Sequence, residues 1–359
     1  MDGASLTHPL AAPAGAAKGW IPGVDMRNYQ YCIHGVSLSL DTDSPTIANT
    51  VQTFLRYFQQ PTLRAAPHLE IVLREVQDAG QIPIEVSPAA TLLSSPYEES
   101  MDELSHTEWT CDLYRDGDGK IADLHDHGCL RLDDRRGRLE GYLINPSQLH
   151  PAIQIAIFHF ALTELLKRHG LYTIHATALE KDGYGFLIPG RSGQGKTTCC
   201  IALLRSGYRF LADDHPFVCE TDNQLELLSF PEKIDVTDAT IAFFPELQQA
   251  NGHLHQGLIK RYFYADDLYP GAKIDRCNPA FIILPQVIEG PQSYLEPLPK
   301  RQVLEELLPQ GLLVFDKEIA QLQFRTLTHL VEQAACYRLY SGENVRELPQ
   351  IVDTLLEQA

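Results

Sequence analysis

The sequence predicts an α/β protein in two parts, with an N-terminal α+β region over 25–145 and, over 146–359, an α/β core arranged around a phosphate-binding loop. Three observations carry this. The chain has 359 residues, enough for two units of ordinary size. Strand-like and helix-like patterns alternate in both halves. At 184–205 an apolar run, a glycine-rich octapeptide and a helix-forming stretch follow in the order that a strand–loop–helix phosphate site requires.

Residues 1–24 are rich in Ala, Gly and Pro and read as a flexible leader. Residues 29–40 (YQYCIHGVSLSL) read as a strand. Residues 45–59 (PTIANTVQTFLRYFQ) have helical apolar spacing. Strand-like runs follow at 69–75, 108–114 and 139–144. The segment 147–170 opens on a Ser cap and ends on Gly170, which predicts a helix. Two strands come next, 171–180 and 184–189. A helix at 196–205 is stopped by Gly207, and a strand runs over 208–212. Beyond Pro279 an apolar run (AFIILP) predicts another strand. Helices at 300–308 and 316–334, a strand at 336–340 and a helix at 344–357 close the chain.

A net charge of −18 with no long Lys/Arg run argues against a nucleic-acid partner. Eight cysteines are scattered with no C-x-x-C pair, so neither a zinc framework nor a disulfide framework is expected. The most apolar helical stretch, 151–166, is too short and too polar to span a bilayer, and the N-terminus lacks an export signal pattern. No membrane association and a cytoplasmic location are the expectation, and a homo-oligomer is compatible with it.

The chemistry concentrates in two motifs. Gly190-Arg191-Ser192-Gly193-Gln194-Gly195-Lys196-Thr197 satisfies G-x-x-x-x-G-K-[ST], and Thr198 continues it. Glycines let the backbone fold tightly enough for several N–H groups to converge on phosphate oxygens. The helix beginning at Lys196 adds its positive end. The pattern predicts binding of ATP with Mg²⁺: Lys196 reaches the β- and γ-phosphates, and the Thr197 hydroxyl coordinates the metal. Asp213 and Asp214 end the next strand, 17 and 18 residues beyond Lys196, a separation that fits one helix and one returning strand. One carboxylate can hold Mg²⁺ while the other accepts a hydroxyl proton; the spacing does not say which does which. His175 precedes the loop in YTIHATALEKDGYG, and a strand histidine by itself is most often a packed or surface residue.

The string IHATALEKDGYGFLIPGRSGQGKTTCCIALLRSGYRFLADD resembles the catalytic core of the HPr kinase/phosphorylase family. There a strand histidine leads into a P-loop, a helix and a G-hydrophobic-A-D-D element. The P-loop and Asp pair are shared with phosphoenolpyruvate carboxykinases. The resemblance is close over 171–218, loose over 146–357 and absent from the first 145 residues. It implies a carboxykinase/HPr kinase-like P-loop core following the N-terminal α+β domain. It also implies a kinase using ATP and Mg²⁺, with His175, Lys196, Asp213 and Asp214 catalytic and with Thr197, Asp213 and Asp214 at the metal. The acceptor it implies is a hydroxyl, most plainly a serine of a peptide or protein, with the N-terminal domain reading the substrate. A small hydroxyl metabolite is the alternative acceptor, and a non-catalytic ATP-dependent regulatory module the alternative of another class. After the Asp pair the chain departs from the family's L-E-I-R-G-L-G signature and reads LELLSFPEKIDVTDATIAFFPEL.

Weaker signals remain. RDGDGKIADLHD (115–126) looks like half a calcium loop, but its register places Tyr114 and His125 at the end positions, so a hairpin turn is the expectation. His125, Asp126, His127 and Cys129 could ligate a metal but have no second cluster at zinc-like spacing. Lys233 and the Lys260-Arg261 pair could neutralise phosphate charge, although solvated surface is the ordinary fate of such residues.

Overall fold

The computed structural model describes residues 26–94, 111–222, 224–231, 233–249, 252–254, 261–311 and 315–357. The expected leader over 1–24, the first residues of the expected 108–114 strand and Lys260 lie outside the described residues.

The first half forms one nine-stranded sheet: β1 (Arg27–Ile33), β2 (Val36–Thr42), β3 (Gln59–Gln60), β4 (Leu69–Val76), β5 (Thr91–Ser94), β6 (Asp112–Asp116), β7 (Gly119–Asp123), β8 (Gly128–Asp133) and β9 (Arg138–Ile144). Their order across the sheet is β3-β1-β2-β4-β9-β8-β7-β6-β5. The single strand expected over 29–40 is instead the hairpin β1–β2, reversed at His34 and Gly35, both at positive φ. A two-residue turn with left-handed φ at both positions joins two such strands without splaying them. The expected hairpin at 115–126 is present as β6–β7, turning at Gly117 and Asp118.

Helix α1 (Pro45–Phe54) is capped by Ser44, whose hydroxyl accepts from the Ile47 N–H at 3.4 Å, and has Pro45 in its first turn. It stops at Phe54 rather than continuing to 59. Helix α2 (Pro151–Leu166) is capped by His150, whose Nδ1 accepts from Ala152 N–H at 3.2 Å, and not by Ser147, which sits in a preceding turn. It continues into a 3₁₀ turn and ends at Gly170, left-handed at φ 73°. Both helices lay apolar side chains on the first sheet. Val51, Leu73, Leu130, Ile157 and Phe158 line the apolar cavity between them, which does not touch the glycine loop.

The second sheet holds β10 (Tyr172–Thr173), β11 (Ala176–Lys181), β12 (Tyr184–Pro189), β13 (Arg209–Ala212), β14 (Phe217–Thr221) and β15 (Gln224–Leu228). A three-stranded sheet of β16 (Lys233–Val236), β17 (His253–Leu254) and β18 (Arg261–Tyr264) follows them in the chain. The second sheet is completed by β19 (Arg276–Val287), β20 (Tyr294–Pro297) and β21 (Ala335–Ser341). Its main order is β10-β14-β15-β19-β12-β11-β13, with β21 also paired to β19 and β20 to β21. The expected strand over 171–180 is broken at Ile174 and His175. Helix α3 (Lys196–Arg205) follows β12. The short helices α4 (Asp238–Phe243), α5 (Pro245–Gln249) and α6 (Ala265–Leu268) flank the small sheet. Helices α7 (Lys300–Leu307), α8 (Lys317–Gln333) and α9 (Leu348–Asp353) complete the chain. The helices expected at 300–308 and 316–334 are therefore present, and the last helical segment is shorter than expected. No described helix is long and apolar enough to cross a membrane.

The apolar core under α1 and α2 continues to Ala212, Phe217, Leu228, Phe230 and Phe315 of the second half. Phe230 lies at its centre, 5.2 Å from Phe54 and 5.3 Å from Phe217 between ring centroids. A buried charge network crosses the same seam. Lys120, on β7, pairs with Asp134 at 3.1 Å and Glu164 at 3.4 Å, and all three side chains are under 5% exposed. Glu164 also pairs with Lys167, and Arg168 joins Asp134 at 3.1 Å to Asp316 at 2.6 Å. Asp316 caps α8 by accepting from the Glu318 and Ile319 N–H groups.

Breaking a buried network at one cation leaves carboxylates without their compensation. Lys120→Met is expected to destabilise the fold by about 3 kcal/mol in urea denaturation. A loss below about 1 kcal/mol would show that Lys167 and Arg168 alone satisfy Asp134 and Glu164.

Candidate active site

β12 delivers the chain into the glycine loop at one edge of the second sheet. β12 is buried along nearly its whole length, as a strand with neighbours on both sides must be. Gly193 and Gly195 adopt φ of 81° and 94°, a region that side-chain-bearing residues enter at a cost, so the loop needs glycine at both. The loop leads straight into α3, with Gly195 at its N-cap. Within the loop, Gln194 Oε1 accepts from the Arg191 N–H at 2.6 Å, while Arg191, Ser192 and Gly193 are exposed. α3 buries Cys199 through Leu204. Burial pushes the Cys199 thiol up to about 12, so that cysteine is packing rather than chemistry.

Lys196 is 6% exposed and curls back, donating to Gly190 O at 2.7 Å and Arg191 O at 3.4 Å. Its Nζ is 3.9 Å from Asp214 Oδ1. Thr197 donates from Oγ1 to Asp213 Oδ2 at 3.1 Å. Thr198 faces away from the loop, its hydroxyl 3.3 Å from that of Thr240 on α4.

The acidic pair arrives on β13. β13 runs antiparallel to β11 and β11 antiparallel to β12, so β13 ends at the same sheet edge as β12. Two backbone bonds then tie the next residues to the break before β11: Ala176 N–H to Asp214 O at 3.2 Å and Ile174 N–H to Pro216 O at 3.2 Å. His175 is thereby set opposite Asp214, with its Nε2 3.2 Å from Asp214 Oδ1. Its own N–H is held by Gln310 O at 2.7 Å. Asp214 sits at φ 80°, a left-handed conformation that Asp tolerates better than most residues but that is still strained.

The two carboxylates occupy different environments. Asp213 is 2% exposed and is held by two neutral hydroxyls, those of Thr177 and Thr197. Burial, reinforced by the charge of Asp214, raises its carboxyl well above the usual carboxylate range. Asp214 keeps 40% of its side chain exposed. Burial opposes its ionisation, but the hydrogen bond and charge of His175, with the charge of Lys196, outweigh it and hold the carboxyl well below its ordinary value. His215, stacked beside His175 at 6.5 Å, is driven by burial to about 4 and is neutral at physiological pH.

The structure brings His175, Lys196 and Asp214 together around one point, and Thr197 and Asp213 around an adjacent one. Thr177 and His215 belong to the same site but escaped the sequence reading. Thr177 could have been suspected from its place two residues beyond His175 in a run expected to be one strand, where such residues share a face. His215 carried no signal beyond adjacency. Among the described residues there is no group of three or more His, Cys, Asp or Glu placed to hold a metal ion, at His125, Asp126, His127 and Cys129 or elsewhere. Lys233 pairs with Asp235 at 3.3 Å and lies over the Tyr262 ring. Arg261 lies on β18, 3.9 Å from Asp238.

No family model matches the chain. An HPr kinase/phosphorylase from an Exiguobacterium species is 30% identical over 92 residues, which are 26% of this chain. The match spans 29% of the length of that relative. Among solved structures, the HPr(Ser) kinase/phosphatase from Coxiella burnetii is similar over 52% of this chain and 94% of its own, with 15% identity and a TM-score of 0.29. The fold is a mixed α/β arrangement of large sheets. The sequence relationship supports an HPr kinase-like family for it.

A carboxyl with a raised folded-state pKa is protonated in the fold while the unfolded chain has already ionised. Its stability contribution therefore falls as pH rises from about 4 toward neutrality. Asp213→Asn removes that penalty. In metal-free buffer at pH 8 the variant is expected to melt at least about 2 °C above wild type, with the gap closing by pH 4. A variant that melts below wild type at pH 8 would show that Asp213 is stably ionised without a cation.

Proposed function

We propose that this chain is an ATP- and Mg²⁺-dependent kinase of the HPr kinase-like type, transferring the γ-phosphoryl group to a hydroxyl, that of a serine on a peptide or protein. The observation that carries this is the convergence of Asp214, His175 and Lys196 at the mouth of the glycine loop, with Asp213 and Thr197 directly behind. The residues suit the ligand: two left-handed glycines, a helix N-terminus and a lysine answer a polyphosphate. A buried carboxylate held by neutral hydroxyls answers a cation. Bound ATP with Mg²⁺ supplies the γ-phosphoryl group and the divalent charge that offsets its oxygens.

In this proposal Gly190 to Thr198 form the P-loop. Its N–H groups hold the phosphates, and the Lys196 ammonium exchanges the carbonyls of Gly190 and Arg191 for phosphate oxygens. Asp213 and Thr197 are the metal-holding pair, because their oxygens already face each other in the interior. Asp214 is the base, being half exposed, ionised, and in reach of an incoming hydroxyl. The acceptor's proton passes to Asp214 as the acceptor oxygen bonds to the γ-phosphorus and the bond from that phosphorus to the β–γ bridging oxygen of the departing ADP breaks. A weak base suffices where the transition state is loose, since the hydroxyl need not ionise early. His175 orients the Asp214 carboxylate through Oδ1.

The division at residue 145 into an acceptor-reading unit and a catalytic unit is part of the same reading, with α2 spanning the seam between them. So is a cytoplasmic location, supported by eight cysteines that are all free thiols.

The test is incubation with γ-labelled ATP, Mg²⁺ and a proteome from the source cells. Label is expected on serine of a discrete polypeptide. Asp214→Asn should lower transfer about a hundred-fold or more while ATP affinity changes less than about three-fold. Label confined to small metabolites would replace the acceptor class. Tight ATP binding with no label in any fraction would mean that the chain is not a kinase.

A further inference from the structure

The nucleoside end of the ligand is left unplaced by the site just described, and the sheet constrains where it goes. This inference rests on the proposed P-loop. β12, β19 and β21 run parallel, so Pro189, Val287 and Ser341 emerge at one edge of the sheet. In such sheets ligands bind outside the carboxyl ends of the strands. The Asp pair reaches that edge from β13, two strands from β12 on one side. β19 adjoins β12 on the other side. A triphosphate lying across the loop with its reactive end at Asp214 therefore directs its nucleoside toward β19.

The end of β19 differs from the rest of the strand. Phe281 to Pro285 are buried, yet Val287 is 59% exposed, the most exposed of the large apolar side chains among the described residues. It stands against the glycine loop: a Cβ on Gly195 would meet Val287 Cγ2 at 3.3 Å, and one on Gly190 would meet Pro285 Cγ at 3.5 Å. Its position is fixed by its own strand. Val287 pairs in register with Ser341, and the next N–H, that of Ile288, donates to Ser341 O at 3.0 Å. The segment beyond is tied down as well. Glu343 N–H donates to Gly290 O at 2.8 Å, Gly342 N–H to Ser293 Oγ at 3.0 Å and Ser293 N–H to Glu347 Oε1 at 2.9 Å. An apolar group is thus presented to solvent from a rigid base, in contact with the phosphate loop and on the side away from the acids.

We propose that Val287 is the platform on which the base of the bound nucleotide rests. An aliphatic side chain against a flat heterocycle contributes affinity through apolar burial, which inorganic phosphates cannot use. The contact should therefore separate ATP from a bare polyphosphate of the same charge.

The experiment measures dissociation constants of ATP–Mg²⁺ and of tripolyphosphate–Mg²⁺ for wild type, Val287→Ser and Val287→Leu by calorimetry. Val287→Ser is expected to weaken ATP about five-fold or more and leave tripolyphosphate within two-fold. Val287→Leu is expected to keep ATP affinity. ATP affinity unchanged in Val287→Ser would overturn the proposal. Equal weakening of both ligands would also overturn it, since that marks a distorted loop rather than a lost base contact. A wild-type chain that binds neither ligand would overturn the loop reading itself, and the base platform with it.

Discussion

The buried carboxylate of Asp213 is the constraint around which this site is arranged. It accepts one hydroxyl from Thr177 on β11 and one from Thr197 in the first turn of α3, while itself directly following β13. Three separate elements are fixed to one another by a single side chain at 2% exposure. A carboxylate in that position is costly to ionise without a cation, because neutral hydroxyls do not replace its hydration fully. The raised pKa of Asp213 and the depressed pKa of Asp214 are two faces of that arrangement. Adjacent carboxyls in different surroundings separate in acidity, and that separation underlies the roles proposed above. The proposed division, metal for Asp213 and base for Asp214, was out of reach of the sequence, in which the two are simply neighbours.

What could be read from the sequence was what is local. The strand at 184–189, the glycine loop and the helix at 196–205 have the residue limits expected of them, because glycine placement, the apolar run and the stop at Gly207 are contiguous signals. The placing of the Asp pair beside Lys196 followed from the chain length between them, whereas His175 entered the site only through the family resemblance. The first half was harder. The β1–β2 hairpin turns at His34-Gly35, which lacks the Asn-Gly or Asp-Gly signal of a tight turn, so two strands read as one. β5, β7 and β8 are short, and their pairing is decided by partners elsewhere in the sheet. The break at Ile174 and His175 is likewise a tertiary event, imposed by backbone bonds to residues 214 and 216 and to Gln310.

The buried charge network around Lys120 has the same character. Lys120, Asp134, Glu164, Lys167, Arg168 and Asp316 are spread over nearly two hundred residues, and nothing in their spacing announces that they meet. They join the first sheet to α2 and to the start of α8. The segment just before α8 supplies Gln310 O to the His175 N–H, so the seam between the two sheets and the position of His175 share one stretch of chain.

The central claim is that residues 190–198 hold a nucleoside triphosphate with its metal, and Lys196 is its most sensitive point. Its ammonium is now satisfied by carbonyls of its own loop, so removing it need not unfold the protein. Thermal unfolding with and without saturating ATP–Mg²⁺ tests the claim directly. A ligand at about a hundred times its dissociation constant stabilises the fold by about 2.7 kcal/mol, enough to raise the melting temperature by several degrees. The account predicts that rise for wild type and its near-complete loss in Lys196→Ala. An equal rise in both proteins would contradict it, because the triphosphate would then be bound somewhere other than this loop.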